Sequence, residues 1–471
     1  MKSIPRILCA AALTALVAVP ASAQINNTPP GTPGAGPAAG PRRGGGAGVE
    51  ASVASASNTS PQVNADGTIT FRLLAPNAKK AQVFSDIPKL GEVTVHGSAG
   101  YDMVKDEASG VWSYTTPKLT PSYYQYWFVV DGLTTPDPQN TFVRPGSGVY
   151  KSIVALPGKE ADFMMFRDIP HGDLIEHHYL NPDNKTARRV VIYTPPGYST
   201  SGKSYPVIYL LHGANDYERG WTQSGMANNI MDNLIADGKA VPAIIVMPFG
   251  HDTTGSTGKL PEVRALQASL GYTPPARGAR GASPGGAGAA AGGARGGGRR
   301  AGAGPAVAAG APGAAPAAGA APAARGGPAG AGGGDYMEKD LLTLVVPYVE
   351  KEFRVIKDKD HRAIMGYSMG GGQSTSIGYR HPELFSYVGG MSGGNVPASI
   401  IADPAKANKD YKIIFFGSGT EDSAVNGVRT QDASLTAAGI KHIASEDVGY
   451  GHDYQIWRQY FYRLAQLTFR D

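Results

Sequence analysis

The pattern G-x-S-x-G occurs three times, at Gly281–Gly285, Gly366–Gly370 and Gly390–Gly394. It can hold a serine on a tight turn between a strand and a helix, where glycines let the backbone pass and lift the hydroxyl clear of a sheet. Context separates the three. Gly281–Gly285 lies in Gly/Ala/Pro/Arg sequence with no strand before it. Gly390–Gly394 follows an apolar run but leads into NVPASIIADP, a loop rather than a helix. Gly366-Tyr367-Ser368-Met369-Gly370 follows the apolar RAIM and opens a small-residue segment that can begin a helix. Ser368 is the candidate nucleophile, and Ser392 is a poor second.

A serine hydroxyl near neutral pH needs a base in hydrogen-bond reach and an acid to orient that base. Partners of a serine on such a turn in a parallel sheet must reach the same edge, where the loops leaving the ends of other strands arrive. After His381 the chain has only His442 and His452. His442 opens a predicted strand and so falls on the opposite sheet edge. His452, in GYGHDY, comes directly after that strand and shares the edge of Ser368. For the acid, FFGSGTED puts Glu421 and Asp422 just past a buried strand; Asp422 is preferred and Glu421 is the alternative. Asp453 adjoins His452, but adjacent side chains diverge. An oxyanion would be met by the backbone N–H of Met369 and by a second N–H from the loop after YLLHG, at Gly213 or Ala214.

Other chemistries find less support. Glu176-His177-His178 lies on a predicted strand, where successive side chains point to opposite faces. His251-Asp252 is a lone pair without spaced ligands. There is no phosphate loop and no dinucleotide fingerprint. No metal or cofactor is expected, so a chelator should leave activity intact.

Two kinds of element must position these residues. From about residue 165 predicted strands alternate with helices, the pattern of a largely parallel sheet. TARRVVIYTP and YPVIYLLHG come first and have no helix between them, so an antiparallel pair is expected. A helix near Ala227–Ala236, the strand PAIIVMP and the helix DYMEKDLLTLVVPYVEKEF, bent at Pro347, come next. HRAIMGYS, FSYVGGM, YKIIFFGSG, a helix Val428–Ala438, KHIASEDVG and a closing helix from Tyr454 complete the series. Residues 61–157 instead carry short β-branched and aromatic runs between Asn, Asp, Gly and Pro clusters, the pattern of a β-sandwich. There Tyr124, Tyr126 and Phe128 alternate onto a buried face, leaving Tyr123 and Trp127 as rings for a sugar. Trp221 and Tyr367 are further candidate substrate contacts.

Composition marks what lies outside these domains. The 64 glycines and 36 prolines are an excess that can be located. Residues 277–334 are Gly, Ala, Pro or Arg at every position but Ser283 and Val307. Their six arginines exceed the whole chain's formal net charge of +5. The basic balance therefore belongs to this insert, which disfavours a nucleic-acid-binding core. The insert follows PAIIVMP, at the sheet edge where ligands bind. It reads as an unstructured expansion; the alternative is an arginine-studded segment that recruits anionic polymers. Lys2 and Arg6, the apolar ILCAAALTALVAV and Ala21-Ser22-Ala23 read as a cleavable export signal over residues 1–23, followed by a flexible linker over 24–60. Cys9, the only cysteine, lies inside that signal. A secreted or periplasmic protein with no membrane anchor after cleavage is expected, and nothing in the sequence sets its oligomeric state.

YPVIYLLHG, DLLTLVVPYVEKEFRV, HRAIMGYSMGG, HPELFSYVGGMSGG, FFGSGTED and GYGHDYQIWRQYF together resemble the esterase D group of α/β-hydrolases, especially carbohydrate esterase family 1. The resemblance covers residues 165–471 apart from the insert. It implies an α/β-hydrolase fold and a serine-esterase mechanism. The group includes feruloyl and acetylxylan esterases, siderophore esterases, S-formylglutathione hydrolases and mycolyl transferases. YYQYWFVVDG followed by DPQN resembles, more weakly, the early-set immunoglobulin-like sandwich of family 48 carbohydrate-binding modules. The implied arrangement is an α/β fold preceded by a small all-β domain, acting on acylated polysaccharide or oligosaccharide. A siderophore esterase and an acyltransferase with the same triad are the alternatives; a non-catalytic polysaccharide-binding protein would have to treat the ordered triad as accident.

Overall fold

A computed structural model describes residues 59–87, 99–145, 149–182, 187–214, 216–251 and 332–470, all within one compact unit. The predicted export signal, the linker up to residue 58, Asp252 and the insert up to residue 331 lie outside the described residues. The insert's last three glycines do not: they begin a helix, Gly332–Asp340.

Ten short strands come first: β1 (Gln62–Val63), β2 (Ile69–Leu74), β3 (Ala81–Ser85), β4 (Ala99–Asp102), β5 (Val104–Asp106), β6 (Val111–Thr115), β7 (Ser122–Val130), β8 (Leu133–Thr135), β9 (Val143–Pro145) and β10 (Tyr150–Leu156). All their pairings are antiparallel, in two sheets ordered β1-β2-β6-β5 and β4-β3-β7-β10-β9, with β8 beside β7. The period of two explains the sandwich. Tyr124, Tyr126 and Phe128 of β7 all enter its core with Phe71, Val83 and Val154. Burying Phe71 or Phe128 stabilises the sandwich by about 1.5–3 kcal/mol each.

Eight strands build a third sheet: β11 (Asp173–Leu180), β12 (Ala187–Thr194), β13 (Val207–Leu211), β14 (Ile244–Pro248), β15 (Arg362–Tyr367), β16 (Tyr387–Met391), β17 (Ile413–Gly419) and β18 (Ile443–Asp447). Their order is β11-β12-β14-β13-β15-β16-β17-β18. From β14 to β18 every pairing is parallel, whereas β11–β12 and β12–β14 are antiparallel. The expected pairing of TARRVVIYTP with YPVIYLLHG is therefore incorrect. After β13 the chain passes through the helix Ala227–Ala236 and returns as β14 in the slot between them. The next strand, β15, lands on the other side of β13. Connections thus diverge around the carboxyl end of β13, the place where open α/β sheets leave a ligand crevice.

Alternate residues feed two cores. Val191, Tyr193, Ile208 and Leu210 pack with the helices Ala227–Ala236 and Tyr454–Leu467. Val190, Ile192, Val207 and Tyr209 pack on the other face with Met337, Leu341, Val345 and Val349. Those last four lie on one long helical segment, α-helical over Gly332–Asp340, π-helical over Leu341–Val345 and α-helical again over Val346–Glu352. Pro347 sits two residues beyond the last residue of the π turn. A proline lacks the N–H of an α-helical bond and crowds the preceding turn, and the widened turn is where that conflict falls.

One arginine ties the two described ends around residues 252–331. Arg188 is fully buried and donates to the carbonyls of Phe249 and His251, each at 2.6 Å. It also donates to Asp340 Oδ2 at 3.1 Å, on the returning helix. Tyr179 Oη at 2.7 Å and Asn181 Nδ2 at 3.0 Å complete the donors around Asp340.

Candidate active site

β15 is buried along its whole length and ends at Tyr367; the helix Met369–Arg380 starts one residue beyond Ser368. Between them Ser368 adopts φ 54° and ψ −122°, a region that costs a non-glycine residue about 1–3 kcal/mol. The glycines around it are dictated by space. A Cβ on Gly366 would stand 2.5 Å from the Gly370 carbonyl oxygen, and one on Gly370 would stand 2.5 Å from that of His212. The turn is thus packed backbone against backbone, and it places the Ser368 hydroxyl at the carboxyl edge of the sheet.

His452 and Asp422 meet it there. His452 Nε2 lies 2.8 Å from Ser368 Oγ, and its Nδ1 lies 2.9 Å from Asp422 Oδ1. With Nδ1–H donating to the carboxylate, Nε2 is left to accept the serine O–H. The Asp422 carboxyl is wholly buried, whereas the His452 ring keeps about a fifth of its surface open. Burial pushes the Asp422 pKa up, but the hydrogen bond and charge of His452, with the nearby Ser392 hydroxyl and the Ala424 N–H, outweigh it and hold the group below its ordinary value. Asp422 stays an anion, able to stabilise an imidazolium.

The other sequence candidates fall elsewhere. Glu421 is exposed, and its Oε1 accepts from the Thr420 hydroxyl at 3.5 Å. Asp453 caps the closing helix, accepting from Gln455 N–H at 2.8 Å. His442 is held by Asp432 at 2.8 Å and stacks on Phe416. Ser392 is buried behind the acid and accepts from Trp457 Nε1 at 2.9 Å. His177 stacks on Tyr348 with centroids 3.9 Å apart, while His178 turns to Glu176 at 2.9 Å.

Gly213 lies against the serine: a Cβ there would be 3.1 Å from Ser368 Cβ. Ala214, next along the same loop, is exposed. Met369 is the first residue of its helix, whose opening N–H groups have no intrahelical acceptor. His212, unread in the sequence, braces this rim. Its Nδ1–H donates to the Gly213 carbonyl at 2.8 Å, and its Nε2 accepts from Gly250 N–H at 2.9 Å. Burial, with His251 nearby, lowers its pKa to about 4, so the ring is neutral and both bonds keep their direction.

Three aromatic candidates for substrate contact need correction. Trp221 is 0% exposed and gives its only N–H to the Leu211 carbonyl at 3.0 Å. Tyr367 is buried, with its hydroxyl 2.6 Å from Asp216 Oδ2. Tyr123 leaves the sandwich core as alternation requires, but the α/β domain covers that face and buries its ring in the larger core. Each ring packs rather than binds. Trp127 stays half-open, stacked on Phe84, with Lys151 Nζ 4.9 Å from its centroid.

Sequence reasoning also missed a buried polar group under the site. Asp216, in the loop after β13, accepts at Oδ2 from Tyr367 and Tyr454, each at 2.6 Å. At Oδ1 it accepts from Arg144 of β9 at 2.7 Å. Nothing local marks these residues, because the partners stand far apart in the chain.

Comparison with known proteins bears on what such an edge does. A family model described as "Putative esterase" matches residues 183–268 and 313–463, half of the chain. An endo-1,4-beta-xylanase/feruloyl esterase of Xylanibacter ruminicola is 29% identical over 416 residues, 87% of this chain and 46% of that protein. The chain therefore spans about half the length of this curated relative. Among solved structures, the enterobactin esterase of Shigella flexneri superposes with a TM-score of 0.51 at 16% identity, over 85% of this chain and 93% of that one. A ferulic acid esterase of Anaeromyces mucronatus gives 0.44 at 20% identity, over 70% of this chain and 98% of that one. The enterobactin esterase structure shares the fold; the family match goes further, and the chain belongs to this esterase family.

Proposed function

We propose that the protein is an exported serine esterase that removes acyl groups, feruloyl or acetyl, from plant cell-wall polysaccharides such as xylan. The observation that carries this reading is the unbroken chain from Ser368 Oγ through the His452 ring to Asp422, at 2.8 Å and 2.9 Å. Ser368 Oγ attacks the ester carbonyl carbon while His452 Nε2 takes its proton. The oxyanion is met by the N–H of Met369 and by one from Gly213 or Ala214. His452 then returns the proton to the departing sugar oxygen, leaving an acyl-serine. Water, deprotonated by the same ring, attacks that ester and releases the acid and free serine. Asp422 keeps the imidazole in the productive tautomer throughout.

The substrate class is supported by the xylanase/feruloyl esterase relative. Secretion or a periplasmic location is supported by the leader pattern of residues 1–23. A second reading, hydrolysis of a siderophore lactone, draws on the enterobactin esterase neighbour, whose match extends over 85% of this chain. Turnover of methyl ferulate, acetylated xylan and a tri-catecholate lactone, each with wild type and S368A, tests both. Ferulate or acetate release abolished in S368A is expected. Preference for the lactone would move the assignment to the second reading, and full turnover by S368A would end it.

A further inference from the structure

The sandwich reaches into the α/β domain with one buried charge. Arg144 is 3% exposed and Asp216 is 5% exposed. The guanidinium donates to Asp216 Oδ1 at 2.7 Å, Ser224 Oγ at 2.7 Å, Gln125 Oε1 at 3.2 Å and the Pro145 carbonyl at 2.9 Å. Two of these acceptors belong to the sandwich and two to the α/β domain, so the side chain is fixed from both sides.

What Asp216 does with its other oxygen gives that charge a purpose. Oδ2 accepts from the hydroxyls of Tyr367 and Tyr454, which also lie 2.6 Å from each other. Tyr367 immediately precedes Ser368, and Tyr454 follows His452 by two residues. Asp216 itself is tied to the loop of Gly213, whose carbonyl accepts from the Asp216 N–H at 3.2 Å. One carboxylate therefore joins the serine turn, the histidine loop and the loop at the oxyanion position.

We propose that Arg144 is a positioning residue of the active site: acting through Asp216, it sets Tyr367 and Tyr454, and through them Ser368 and His452. This rests on the reading of Ser368 and His452 as nucleophile and base. The physical reason is that a buried carboxylate needs a compensating charge. Burial alone would raise the Asp216 pKa; Arg144, followed by the two tyrosine hydroxyls, holds it below its ordinary value. Burial keeps both phenols protonated and donating, so the anion is their common acceptor. Without Arg144 the carboxylate must take up a proton or admit water, and the two hydroxyls lose their fixed anchor. The sandwich is then part of the catalytic architecture, not only an appended module.

The test uses the full chain with p-nitrophenyl acetate, and kcat is expressed per active site titrated with a phosphonate. R144M should keep the native circular dichroism but lose about 10- to 100-fold in kcat with KM changed less than about threefold, the scale of loss for slight misplacement of reacting groups. R144K, which restores the charge, should recover part of that loss. Y454F, which removes one donor and leaves the ion pair, should lower kcat several-fold. A role in folding alone would lower the melting temperature and the titrated fraction while leaving kcat per site unchanged, and that result overturns the proposal. If R144M does not fold, wild-type kcat in Y454F overturns it equally. Failure of the underlying assignment is separate: it shows as turnover by S368A.

Discussion

His452 Nδ1 and Asp422 Oδ1 stand 2.9 Å apart, and only the histidine of the pair has any surface open to solvent. The neighbouring Glu421 lies in solvent, so the choice between two adjacent acids is made by burial.

D422N should therefore lower kcat by about 10⁴-fold through the wrong imidazole tautomer. E421Q should stay within twofold of wild type. Steady-state hydrolysis of p-nitrophenyl acetate by the two variants checks both, and equal losses would contradict the geometry.

The same carboxylate ties stability to pH. Its folded pKa lies below the ordinary 3.8, so the stability it contributes is fully present above that value. It is lost as pH falls through the folded pKa. In urea titrations the stability gap between wild type and D422N should hold constant near neutrality and shrink only below the ordinary carboxylate range. A gap that instead closes between pH 6 and 8 would show that another group governs it.

Ser368 holds a positive φ that glycine accepts without strain. S368G should thus be inactive yet more stable than S368A by about 1 kcal/mol, the lower end of the cost of such strain. Thermal melts of the two inactive proteins give the comparison; equal midpoints would mean the turn is not strained.

Trp221 belongs to the core, so W221A should cost about 3–5 kcal/mol of stability, as for other buried aromatic truncations. Chemical denaturation measures that loss. A variant of unchanged stability with a raised KM would return Trp221 to the substrate site.

Legibility in the sequence followed the range of the causes. The turn at Ser368 could be read because strand, glycines and helix start are contiguous. His452 could be placed because strand order assigns each loop to an edge. Tyr124, Tyr126 and Phe128 could be sorted inward by alternation alone. The same alternation put Tyr123 outside, which is right for the sandwich and wrong for the molecule, since docking of the α/β domain buries that face. Trp221 misled for the same reason. The slot of β14 between β12 and β13 is a matter of crossover topology, to which local patterns are blind. Arg144 and Asp216 carry no signal at all: a buried ion pair between domains is written in two distant residues, each ordinary in its own context.

The Arg188 staple has a consequence for how the two described ends are held. Because Phe249, His251 and Asp340 are gathered on one guanidinium, the geometry on either side is set before the intervening residues contribute anything. The strand end at Phe249 and His251 and the returning helix at Asp340 are thus kept in register by contacts of their own side chains and carbonyls.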